Sequence, residues 1–205
     1  MRRLHAAERA RIDSAVVEAE RHTSAEFVAV LARRTDSYLH VTLTMAGVGA
    51  LLAGGLTLLV WRAASAADLL AVEIIVFSLL VLLLRWQPLL MFCVPRSIRR
   101  RRGARMAREL FIDLGLLDTQ GRTGVLFFVA RGERHVEIIA DRGVASLVGD
   151  DAWQAVIDRF TTDVKAGRLS DGMVTAITAC GAILAERLPA GDDNANELHD
   201  GLVEL

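Results

Sequence analysis

Two long apolar segments dominate the hydropathy pattern of the chain. Residues 41–61 contain no charged side chain, and residues 69–84 contain only Glu73. A helix needs ~20 apolar residues to cross the ~30 Å hydrocarbon core of a bilayer. The seven residues RAASAAD lie between the two segments, so the chain must return directly after its first crossing. The pattern therefore predicts a transmembrane hairpin with spans at about 41–61 and 66–86.

Outside the hairpin, the pattern predicts one α/β domain that the hairpin interrupts. The segment GVLFFVA (124–130) is apolar almost throughout, and the short loop RGER leads directly into HVEIIAD (135–141). Two strands joined in this way predict an antiparallel β-hairpin. A continuously apolar strand is typical of a sheet that helices cover on both faces. The further elements expected are a helix at Leu4–His22, a strand at Glu26–Ala32, and helices at 98–117, 151–164 and 170–188.

These elements give a domain organisation in four parts. The N-terminal part, residues 1–37, and the main part, residues 95–189, are expected to fold together. Residues 38–94 hold the hairpin and an interfacial segment, and residues 190–205 form a polar tail that we expect to pack loosely. In the main part, Asp151 is expected to cap one helix and Ser170 the next.

Charge is distributed unevenly around the hairpin. Residues 1–108 carry 16 Lys and Arg against 8 Asp and Glu, whereas residues 109–205 carry 8 against 17. Because cytoplasmic flanks are rich in Lys and Arg, both soluble parts are expected in the cytoplasm of a cell with an inner membrane. The arginines after the hairpin are expected to bind anionic lipid headgroups rather than nucleic acid, since no aromatic residues are interleaved with them. They are Arg96, Arg99, Arg100, Arg101, Arg102 and Arg105.

Small residues recur every four positions in the first span, at Ala46, Ala50 and Gly54. Such a stripe lets two helices approach closely. It predicts packing against the second span, and self-association of two protomers is the alternative. Glu73 lies near the outer end of the second span, and we expect its carboxylate to reach the interface, in the direction of Arg62.

The chain lacks the common catalytic motifs, which leaves its carboxylates as candidate chemistry. It has no Walker A loop, GxSxG or CxxC, and no two of its histidines are three or four residues apart. Asp118 precedes one central strand, Asp141 ends the next, and Asp150 and Asp151 open a helix. If these positions share one end of the sheet, they could bind a hard cation such as Ca²⁺ or Mg²⁺. Turn and cap roles are the alternative for each residue.

Four stretches, TSAEFVAVL, TGVLFFVARGERHVEIIADRGV, DDAW and NELHD, make the chain resemble the TPM-domain family. The similarity is to the branch of bacterial membrane proteins with an inserted two-helix hairpin. The resemblance implies a small α/β/α sandwich around a mixed sheet. It also implies either cation-dependent acid phosphatase activity or a role as an assembly factor for membrane complexes.

Two functional hypotheses follow from the resemblance. Relatives often carry an acidic pair before the second strand, where this chain has LLDTQGRTGVL and keeps Asp118 and Arg122 alone. The first hypothesis is therefore a non-enzymatic module that supports other membrane proteins. The second is a divalent-cation-dependent hydrolase in which Asp118 and Asp141 bind the metal and Arg122 or Arg142 binds phosphate.

Overall fold

The structure is a computed structural model that describes residues 4–33, 38–191 and 201–205. The chain divides into two compact units. One combines residues 1–35 with 100–205, and the other comprises residues 36–99. The hairpin is thus an insertion within the chain of a single folded unit.

Four strands form one mixed sheet in the first unit. They are β1 (Phe27–Ala32), β2 (Val125–Ala130), β3 (His135–Ala140) and β4 (Leu202–Glu204), in the spatial order β3-β2-β1-β4. β1 pairs in parallel with both β2 and β4, and β2 pairs antiparallel with β3. The predicted β-hairpin and the mixed sheet are confirmed.

Eight helices and one 3₁₀ turn complete the described chain. The helices are α1 (Ala6–Glu20), α2 (Leu39–Val60), α3 (Ala66–Leu84), α4 (Gln87–Cys93), α5 (Arg96–Asp113), α6 (Arg142–Ala145), α7 (Asp150–Lys165) and α8 (Leu169–Arg187), and the 3₁₀ turn is Gln120–Arg122.

Helices cover both faces of the sheet, because successive strand residues point to opposite sides. On one face, Phe27 and Phe127 pack in a core with residues of α1, α7 and α8. On the other, Val28 and Phe128 pack against α5 through Phe111. Every residue of β1 and β2 is buried. The α/β/α sandwich is therefore confirmed, with its two cores on either side of β1 and β2.

The last described residues, 201–205, pack against the sheet, where loose packing was expected, and residues 192–200 of the predicted tail lie outside the described residues. Leu202 is 3% exposed and its strand lies beside Ala29, Val30 and Leu31 of β1. The backbone N–H of Leu202 donates to Oδ1 of Asp13 at 2.7 Å, and its carbonyl accepts from Arg9 at 3.2 Å. Two side chains of α1 thus hold a strand that is too short to be recognised by its hydropathy.

In the second unit, α2 and α3 are long and apolar enough to cross a membrane. Their outward residues are apolar and open, as at Leu51 (69% exposed) and Leu59 (77% exposed). α8 also meets these criteria of length and hydropathy. It contributes Met173, Ile177 and other buried residues to the core of the sandwich, so its apolar face is already packed.

The small-residue stripe lies inside the hairpin. Ala46 is fully buried and Ala50 is 7% exposed, on the side of α2 that packs against α3. This is the packing that the simpler interpretation predicted, and α3 occupies the face that a second protomer would need. Glu73 lies against Gly54, where an added Cβ would meet its carboxylate. The glycine therefore makes room for an acid between the two helices, and the reach of Glu73 toward the interface stays a prediction.

The core contains one thiol whose ionisation is suppressed. Cys180 is fully buried in α8, and burial raises the pKa of its thiol from 9.0 to about 12. Cys93 of α4 is partly exposed. Both cysteines are free.

We expect a maleimide to modify Cys93 and to leave Cys180 unmodified in the folded protein at neutral pH, with both thiols modified after denaturation. Between pH 9.0 and about 12 the unfolded thiol loses its proton and the folded one retains it. This thiol therefore lowers the free energy of unfolding by ~1.4 kcal/mol per pH unit as the pH rises through that range. Mass spectrometry and thermal unfolding against Cys180→Ala measure both effects. Native labelling of Cys180 would contradict its burial.

Candidate functional site

The loop that precedes β2 is fixed by two buried threonines. The hydroxyl of Thr119 accepts the backbone N–H of Thr123 at 3.1 Å. The hydroxyl of Thr123 lies 3.2 Å from the carbonyl of Ser24, just before β1. A Cβ at Gly124 would collide with the carbonyl of Leu116, so the chain can pass there only as glycine. The loop is therefore anchored to the start of both parallel strands.

Asp141 is the only buried member of the predicted acid group. It follows β3, is 6% exposed, and its Oδ1 accepts the backbone N–H of Arg142 at 2.7 Å as the N-cap of α6. Its Oδ2 is buried and has no hydrogen-bond donor among the described residues. Nη1 of Arg122 lies 3.8 Å from that oxygen. At this distance the contact is an ion pair without a hydrogen bond.

Arg122 reaches this position through an unusual backbone conformation. Its φ is 58°, in the left-handed region, and Gly121 before it has φ 75°. Gly143 of α6 lies so close to the carbonyls of Gly121 and Arg122 that a Cβ at 143 would collide with both. The two glycines therefore allow the loop before β2 and the loop after β3 to meet.

The other predicted residues do not join this pair. Asp118 and Arg142 have exposed side chains, and Asp150 and Asp151 lie exposed in the first turn of α7. Gly149 is the N-cap of that helix, so the expected capping role of Asp151 is wrong. Of the six candidates, all of them described, only Asp141 and Arg122 have side chains in contact with each other.

The structure gives a direct test of whether these residues fit a divalent cation. Ca²⁺ takes six to eight oxygen ligands and Mg²⁺ six. No group of three or more His, Cys, Asp or Glu side chains that could share an ion occurs in the described ranges. Asp141 already faces a guanidinium. The arrangement therefore does not fit a metal held by carboxylates, and it fits an ion pair that locks two loops.

The arginine run occupies the outer side of α5. Its buried side is formed by Gly103, Ala107 and Phe111, which places most of the arginine side chains in solvent. Nε of Arg105 pairs with Oε1 of Glu109 at 2.8 Å. His135 of β3 packs against Gly103, where a larger residue would displace it. Lipid binding by these arginines stays a prediction.

Sequence reasoning missed a second polar feature at the opposite end of the sheet. Ser170 is not a helix cap, because α8 begins at Leu169 with Arg168 as its N-cap. The serine lies in the first turn with a buried hydroxyl that has no hydrogen-bond partner in the part of the chain described. The Gly167-Arg168 pair before it was the available signal, since a helix can begin directly after a left-handed glycine.

Comparison with known proteins gives one family match and one similar fold. The TPM domain model matches residues 89–183. The fold is similar to the NMR structure of the BA42 protein from the psychrophilic bacterium Bizionia argentinensis, with a TM-score of 0.60 and 20% identity over 100% of this chain and 97% of that chain. At this identity the similarity shows the fold alone. A search of curated proteins gave no match.

Proposed function

Since a TPM domain model matches residues 89–183 of this chain, we propose that it is a membrane-anchored, non-enzymatic module that supports a partner membrane protein. The observation that carries the proposal is the free outer edge of β3. In the described residues β3 pairs with β2 only, and all six of its residues are partly exposed. The sheet's other edge strand, β4, is clamped by α1. An open edge strand can accept an extended segment of another protein.

The hairpin supplies the anchor in this proposal. α2 and α3 present apolar side chains on their outward faces, as a lipid-facing surface requires. The arginines that flank the spans favour the cytoplasmic side of a bacterial inner membrane for the sandwich. The exposed arginines of α5 then bind anionic headgroups at ~1 kcal/mol each.

A photo-crosslinking amino acid on β3 tests whether the outer edge of this strand binds a partner protein. We expect Glu137→p-benzoylphenylalanine, on β3, to give a discrete adduct with a membrane protein in living cells. The same substitution at Arg159, exposed on α7, is the matched control and should give none. Asp118→Asn and Asp141→Asn should leave the adduct unchanged, because Asp118 lies in the loop before β2 and the side chain of Asp141, beyond the end of β3, is buried. Equal adduct patterns from positions 137 and 159 would reject β3 as the docking edge.

A cysteine between α2 and α3 tests on which side of the membrane the sandwich lies. In a Cys93→Ser background, Ala63→Cys lies between α2 and α3 and is expected to react with a membrane-impermeant maleimide in intact cells. Arg159→Cys, on the sandwich, should react only after the cells are opened. The reverse pattern would place the sandwich outside the cytoplasm and contradict the charge argument.

The second candidate function, a divalent-cation-dependent hydrolase, has one supporting observation, which is the buried Asp141 Oδ2 beside Arg122. The carboxylates of the described residues do not group around a common point that could hold a metal, so the first proposal is favoured. We expect no phosphatase turnover above background, with or without Ca²⁺ or Mg²⁺. Asparagine also caps helices well, so Asp141→Asn should keep the N-cap and cost at most about 1 kcal/mol of stability. Metal-dependent turnover that is lost in folded Asp118→Asn and Asp141→Asn would establish the hydrolase instead.

A further inference from the structure

An apolar cavity of about 660 Å³ lies at the end of the sheet where β2 leads into β3. Val129 of β2 and Val136 of β3 are paired residues, and both line the cavity. Phe160 and Val164 line it from α7, the helix that packs on the same face of the sheet. This volume lies in the range of ligand-binding sites. The cavity therefore has room for a group that the described residues do not supply.

A strand added at the outer edge of β3 would extend this pair of valines. Residues paired across neighbouring strands project from the same face of a sheet. A residue opposite Val136 on an added strand would therefore project from the face that α7 covers, where Val164 is 39% exposed. An apolar side chain at this position of a partner would bury apolar surface that the protein leaves open.

The same cavity carries positive charge that the described carboxylates do not balance. Arg134 and Lys165 line it, both are exposed, and neither forms an ion pair with a described residue. Among the described residues, no Asp or Glu lines the cavity. Glu133 is buried outside the lining, and Asp163 pairs with Arg168 at 2.6 Å. Charge complementarity therefore favours an acidic partner.

The apolar and basic features have a defined spacing along an added strand. Arg134 comes immediately before β3 and two residues before Val136. Side chains two residues apart in a strand project from the same face. Antiparallel pairs are the commoner kind. An antiparallel partner with an apolar residue opposite Val136 would place the residue two positions later beside Arg134.

We propose that the outer edge of β3 and this cavity bind an extended partner segment in which an apolar residue is followed two positions later by Asp or Glu. The backbone of the segment pairs with β3, and its apolar side chain enters the cavity beside Val136 and Phe160. Its carboxylate pairs with Arg134 and Lys165. This inference rests on the docking function proposed for the edge of β3, and it names the chemistry of the segment that docks.

The first test measures binding of fluorescein-labelled TSTLTETS to the full chain in phosphatidylcholine nanodiscs by fluorescence anisotropy. We expect saturable binding at up to about 1 mM peptide. Replacing the leucine of the peptide by alanine should weaken binding about tenfold, because less apolar surface is buried. Replacing its glutamate by glutamine should weaken binding about threefold, as expected for an exposed ion pair. TSTETLTS, with the two residues exchanged, should also bind more weakly.

Charge reversal tests the basic side chains directly. The double variant Arg134→Glu, Lys165→Glu should bind the peptide with lysine in place of glutamate more tightly than TSTLTETS. Arg159→Glu, exposed on α7 outside the cavity, is the matched control and should keep the preference of the wild type for glutamate. Melting temperatures check that the variants are folded.

The proposal fails if TSTLTETS shows no saturable binding, or if its glutamate and lysine forms bind equally. Equal binding of TSTETLTS would overturn the order of the two residues. Octanoate, an amphipathic carboxylate without a peptide backbone, should not displace the peptide at about 1 mM. Displacement by octanoate would reject pairing with β3 and assign the cavity to a small amphiphile.

The crosslinked adduct separates this inference from the docking function itself. Adding Arg134→Glu and Lys165→Glu to the Glu137→p-benzoylphenylalanine protein should reduce the adduct at least about threefold. Adding Arg159→Glu should not. An adduct unchanged by the double reversal would overturn the acidic preference and leave the edge as a docking site. Specific peptide binding without any adduct in cells would support the site and reject the partner role proposed for it.

Discussion

The parallel pairing of β1 with β2 is the interaction on which the sandwich depends. Phe27 lies opposite Val125 and Ala32 opposite Ala130, so the pairing joins residues from the two sides of the hairpin. All residues of both strands are buried, which gives the pair a core on each face. Closing a loop becomes only slowly more costly with length, by about 0.6 kcal/mol per doubling. A membrane hairpin can therefore be inserted between β1 and α5 without loss of the sheet.

The same pairing gives the sheet two ends with different chemistry. At the start of β2, Asp141 and Arg122 form an ion pair that joins two loops, and Gly143 allows their backbones to meet. At the other end, Ser170 and the N-terminus of α8 face a cavity rich in arginine. At the first end, the buried Oδ2 of Asp141 faces Arg122 without a hydrogen bond. At the second, Arg168 and Arg11 pair with Asp163 and Asp171, and the buried hydroxyl of Ser170 has no hydrogen-bond partner among the described residues.

This contrast bears on what the sandwich can do. Hydrolysis with a bound cation at the loop of Asp141 would require several carboxylates to converge. Asp118, Asp150 and Asp151 are instead exposed and apart from the Asp141–Arg122 pair. Among the described residues, the outer edge of β3 and the exposed arginines of α5 are the features on which the proposed recognition of a partner and of lipid rests.

The sequence by itself determined the hairpin, the three longer strands and the helices on both faces, because each has a local signature. A run of apolar residues such as 41–61 has few structural outcomes, and the segment VLFFVA favours a covered strand because it is short and rich in β-branched and aromatic residues. Short and long-range features were decided by tertiary structure. Leu202–Glu204 becomes a strand because Arg9 and Asp13 hold it against β1. Asp141 meets Arg122 because two glycines let distant loops touch, and Ser170 loses its capping role because α8 begins earlier, at Leu169. Such contacts join residues far apart in the chain or depend on the exact start of a helix, and hydropathy reports neither.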